Sequence, residues 1–105
     1  MQQRQRNPIG LHANAWSAAD TGAGGTSGPV DTWCAPHVTA FGNASGATTL
    51  TLQVSQDGTN WYDSQVTQAL AGAGDFCLNA SVGARFVRLK SSNDVNVTAT
   101  ISAKD

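Results

Sequence analysis

A chain of 105 residues is enough for one domain, with a thin margin of buried apolar surface to hold it folded. Only 12% of its residues are charged, about half the usual share; Glu is absent and the formal net charge is −1. No Lys or Arg adjoins another, which argues against nucleic-acid binding through clustered cations, and no apolar run approaches the roughly 20 residues of a membrane-spanning helix.

The opening "MQQRQRNPIGLHANAW" has charges but no apolar run after them, so no secretory leader is expected and the protein should be made and used without crossing a membrane. Residues 1–33 keep no sustained period of 2 or 3.6, and residues 21–29 read "TGAGGTSGP". So many glycines disfavour a regular element, and the segment reads as an extended N-terminal arm. Arg4, Arg6, Ile9, Leu11 and Trp16 give this arm groups with which to dock on a neighbour. Trp16 either tucks onto its own domain or anchors the arm to a partner; anchoring is the expectation, because Trp is common among interface anchors.

From residue 34 to residue 105 the text changes to strands. Residues 37–41, "HVTAF", form a short β-like run closed by "GNASG" as a turn. In "ATTLTLQV", Leu50, Leu52 and Val54 alternate with Thr49, Thr51 and Gln53, the pattern of a half-buried strand. Asp57-Gly58 is a hairpin signal, since Gly tolerates positive φ, and "NWYDSQV" is the returning strand. "FCLNA" puts Phe76 and Leu78 on one face, and "RFVRLKS" sets Val87 and Leu89 against Arg88 and Lys90. "VNVTATISA" places Val95, Val97, Ala99 and Ile101 inward. Six short strands with Gly/Asn/Ser/Asp turns predict an all-β, antiparallel β-sandwich or jelly-roll-like domain behind the arm.

No nucleophile turn of the G-x-S-x-G kind occurs, and His12 and His37 with Asp31, Asp57, Asp63 and Asp75 form no recognised catalytic spacing, so no enzyme activity is expected. Cys34, Cys77, His12 and His37 match no metal-site spacing; neither metal nor cofactor is expected. The two cysteines permit one disulfide, but in a reducing compartment buried free thiols are preferred. Trp61 and Tyr62 are adjacent on a strand, so they point to opposite faces. One should close the core; the other, near Asn60 and Asp63, is a candidate surface or glycan contact.

The string "SQDGTNWYD" followed by "ARFVRLKSSNDVNVTATISAKD" resembles small β-sandwich proteins encoded among tailed-bacteriophage virion genes. The resemblance covers the last half to two-thirds of the chain. It implies a head decoration, or cement, protein that is made in the host cytoplasm and sits on the capsid surface of the virion. It also implies the major capsid protein as partner, clamped through the arm, and a homo-oligomer, by family habit a trimer. The "S-x-D-G-x-x-W" hairpin is also similar to that of carbohydrate-binding sandwiches. That likeness implies the alternative of a receptor- or glycan-binding module on a tail or fibre.

Overall fold

The computed structural model describes residues 11–20, 22–32, 35–81 and 83–104; Arg4, Arg6, Ile9, Trp33 and Cys34 lie outside them. In chain order the strands are β1 (Leu11–Asp20), β2 (Gly25–Thr26), β3 (Val30–Asp31), β4 (His37–Ala44) and β5 (Thr48–Ser55). Then follow β6 (Tyr62–Leu70), β7 (Gly74–Ser81), β8 (Phe86–Ser91) and β9 (Asn96–Lys104). Two antiparallel sheets form the sandwich that the alternation predicts. The first has the order β1-β9-β4-β7; the second has the order β2-β8-β5-β6, with β3 also on β8.

The six expected strands are β4 to β9. Upstream of them the structure corrects the reading: residues 11–20 and 22–31 are not an arm apart from the sandwich. β1 is the edge strand of the first sheet, running beside β9 from Leu11 opposite Ala103 to Asp20 opposite Asn96. Its register shifts twice, between Asn14 and Trp16 and again between Trp16 and Ala19. Each shift breaks the alternation that would have marked a strand in the sequence.

β2 and β3 are two residues each and share the free edge of β8. Between them the buried Ser27 completes the ladder. Its N–H donates to the Leu89 carbonyl at 2.8 Å, and its Oγ accepts from the Leu89 N–H at 2.9 Å. A side-chain oxygen thus takes the place of a main-chain carbonyl where Gly28 and Pro29 divert the strand.

The sequence also suggested a turn at residues 42–46, yet β4 runs through Gly42 and Asn43 to Ala44. Gly42 is there for closeness rather than for turning. Paired with Phe76 on one side and Ala99 on the other, it lies so near the Thr98 carbonyl that a Cβ would overlap it.

The core fills the space between the sheets. Val38, Ala40, Phe76, Leu78, Val97, Ala99 and Ile101 come from the first sheet, and Leu50, Leu52, Val87 and Leu89 from the second. Trp16 rests against this core, half-buried, which is the own-domain alternative of the two expected for it. At one open side of the sandwich, edge strands β6 and β7 lie next to each other. There Gln68 Oε1 accepts from the Cys77 N–H at 3.2 Å, occupying a ladder donor on that edge.

Candidate functional site

Residues 52–64 gather polar and aromatic side chains around one turn. Ser55 ends β5, and its buried hydroxyl accepts from the Gly58 N–H at 2.8 Å and donates to Asp57 Oδ1 at 3.1 Å. Asp57 Oδ1 also accepts from the main-chain N–H groups of Thr59 and Asn60, each at 2.9 Å. Asp57 Oδ2 accepts from Asn60 Nδ2 at 2.8 Å. Gly58 supplies the positive φ, 77°, that this turn requires. These donors hold the Asp57 carboxyl well below the usual carboxylate range, because every one of the bonds favours the ionised form. Asp57 therefore belongs to the turn.

The turn delivers Trp61 to the outer face of the second sheet. There a polar row crosses three strands: Asp63 on β6 pairs in register with Gln53 on β5, which pairs with Arg88 on β8. Gln53 Nε2 donates to Asp63 Oδ1 at 2.8 Å, and Arg88 Nε donates to Gln53 Oε1 at 2.7 Å. The guanidinium carbon of Arg88 lies 4.2 Å from the centre of the Trp61 ring. Covered in this way, Gln53 is buried although it points away from the core. The same covering lowers the pKa of Arg88 by desolvation, and the guanidinium stays charged.

A register shift separates this row from the rest of the β5–β6 pair, between Thr51 and Gln53. Ser64 satisfies the irregularity, donating to the Leu52 carbonyl at 2.6 Å and accepting from the Val66 N–H at 3.1 Å.

Neither Trp61 nor Tyr62 closes the core as the sequence suggested. Trp61 has one ring face engaged by Arg88, while Tyr62 is 66% exposed at the start of β6. Of the two aromatics, Tyr62 is the one that offers its surface to a ligand. The partnership of Arg88 and Gln53 is the part that sequence reading missed. Its signal was their outward position on neighbouring strands, and the register that aligns them was not legible.

The other candidate residues are scattered. Leu11 begins β1, and His12 pairs in register with Ser102. His37 lies on the first sheet, whereas Asp63 lies on the second and Asp57 in the turn between β5 and β6. Asp31 forms an ion pair with Arg85 at 3.0 Å. Cys77 is a free thiol and is exposed, where a buried one was expected. Among the described residues no three His, Cys or Asp side chains gather to hold a metal ion. An open depression of about 510 Å³, lined by His37, Thr39, Asn79, Ser81 and Lys104 among others, marks one end of the first sheet.

No protein-family model and no curated protein sequence matches this chain. Its fold is similar to that of the SPBc2 prophage-derived protein YomS, with a TM-score of 0.65 and 8% identity, over 98% of this chain and 100% of that one. It is also similar to the PBSX exported protein XepA, with a TM-score of 0.61 and 12% identity, over 91% of this chain. The match takes in 36% of XepA, so the chain spans about a third of that protein's length.

Proposed function

We propose that this protein is a bacteriophage structural protein that decorates and stabilises the capsid exterior by clamping neighbouring major capsid subunits. The observation that carries this reading is the end-to-end likeness to the prophage-derived YomS, a chain that consists of this one sandwich. A sandwich whose polar and aromatic groups lie on open faces suits attachment to a large surface.

The gripping element is the segment that leads into β1. Arg4 and Arg6 meet acidic groups on the capsid, and Ile9 fills an apolar groove. Trp16 holds the root of that segment to the sandwich core. Repetition over the lattice turns many weak contacts into firm attachment.

Deleting residues 1–10 tests the reading without removing β1. The truncated protein should keep the far-UV spectrum and thermal unfolding of the full chain, yet fail to bind purified phage heads. Normal decoration by the truncated protein would exclude the clamp.

The exposure of Tyr62 favours a second reading, a carbohydrate- or receptor-binding module of a tail or fibre. Glycan-array binding that vanishes in a folded Tyr62→Ala variant would select it.

A further inference from the structure

The two outer faces of the sandwich differ in chemistry. On the second sheet stand Arg85, Arg88 and Lys90 with Asp31 and Asp63. On β4, β7 and β9, the strands of the first sheet whose side chains are described throughout, the formal charges are Asp75 and Lys104, and they sit at opposite ends. Register aligns His37 with Ser81 and Lys104 at one end, and Asn43 with Asp75 and Thr98 at the other. Phe41, 41% exposed on the central strand β4, stands between the exposed Cys77 and Thr100. The depression described above lies at the His37 end.

We propose that two copies of this chain pack together through this face, about a two-fold axis lying in the face and running across the strands. That axis reverses the strands of the second copy. Asp75 of each copy then meets the depression flanked by His37 and Lys104 of the other, and both Phe41 side chains become covered. The competing axis, along the strands, gathers both Asp75 side chains at one end of the contact and both Lys104 side chains at the other, like charge near like. On β4, β7 and β9, one charge of each sign at opposite ends is thus complementary to itself in the antiparallel arrangement.

Four outward rows about 7 Å apart on three strands about 4.8 Å apart span roughly 400 Å² per copy. The total of about 800 Å² is at the low end for a specific contact, so the pair is weak and forms with rising concentration.

Sedimentation from low micromolar to several hundred micromolar protein tests it. The mass should rise from monomer towards dimer. Asp75→Lys and Lys104→Asp should each weaken association by roughly tenfold, since two exposed pairs are lost and like charges meet. The double variant should regain the wild-type affinity. In a Cys34→Ser background, a short bismaleimide should join Cys77 to Cys77 in proportion to the dimer present. A monomer at every concentration, a trimer, or a double variant no tighter than the single ones overturns the proposal. Because Asp75 and Lys104 are exposed, each variant should retain the wild-type melting temperature, which separates lost pairing from lost folding.

Discussion

Arg88 is fixed from two directions by Trp61 and Gln53: its guanidinium carbon lies 4.2 Å from the centre of the Trp61 ring while its Nε donates to Gln53 Oε1 at 2.7 Å. The extended guanidinium makes both contacts at once, whereas the compact ammonium of Lys can serve one or the other. Arg88→Lys should therefore destabilise the sandwich almost as much as Arg88→Ala, by about 1 kcal/mol. A double-mutant cycle between Trp61→Ala and Arg88→Ala in urea should give a coupling of about 0.5–1 kcal/mol. Independent effects of the two substitutions would mean that the stacking contributes nothing.

Gly42 presses against the Thr98 carbonyl in the middle of the first sheet. That neighbour is main chain held in the β4–β9 ladder, so it cannot rotate away as a flexible side chain would. Gly42→Ala should cost about 2 kcal/mol or more, read as a fall in the urea midpoint with little change in slope. Gly72→Ala, where a Cβ meets nothing within 4 Å, serves as the control and should leave stability close to that of the wild type. Equal behaviour of the two variants would show that β4 and β9 separate readily at that point.

The same glycine shows how far the sequence carries. Strand faces were legible wherever alternation persisted: Leu50 and Leu52, Phe76 and Leu78, Val87 and Leu89, and Val97 to Ile101 are buried as their spacing indicates. The signal failed where regularity was broken for a physical reason. Gly42 was read as a turn residue because local propensity cannot report that another strand passes close by. β1 escaped notice because its two register shifts scramble the period, and β2 and β3 because each is two residues long. At the candidate site, the turn at Asp57-Gly58 was visible in the text. The row Asp63–Gln53–Arg88 was not, because it depends on the alignment of three strands separated in sequence.

Ser27 closes the gap between β2 and β3 with one hydroxyl. In Ser27→Ala the Ser27 N–H can still reach the Leu89 carbonyl, but the buried Leu89 N–H loses its acceptor. An orphaned buried donor costs about 1–3 kcal/mol, so the variant should melt at a lower temperature. Hydrogen exchange locates the effect: the Leu89 amide should lose protection, while amides in β4 and β9 change only through global stability. Unchanged protection at Leu89 would mean that the Ser27 hydroxyl does not cap that strand.

The carboxylate of Asp57 gives the β5–β6 turn a defined response to acid. Its folded-state pKa lies below that of the unfolded chain, because the N–H groups of Asn60 and Thr59, the Asn60 amide and the Ser55 hydroxyl all bond to the ionised form. For a depressed carboxyl the stabilising contribution is complete above the unfolded pKa and is lost as pH falls through the folded one. The turn should thus be insensitive to pH from neutrality down to about pH 4, the ordinary Asp range, and should weaken only below it. A carbon-detected titration of Asp57 should show a midpoint below that of an unstructured Asp peptide. Asp57→Asn, which leaves an acceptor oxygen but removes the charge, should flatten the acid limb of the stability curve. A midpoint at the peptide value would mean that the turn does not hold the ionised carboxylate in preference to the acid.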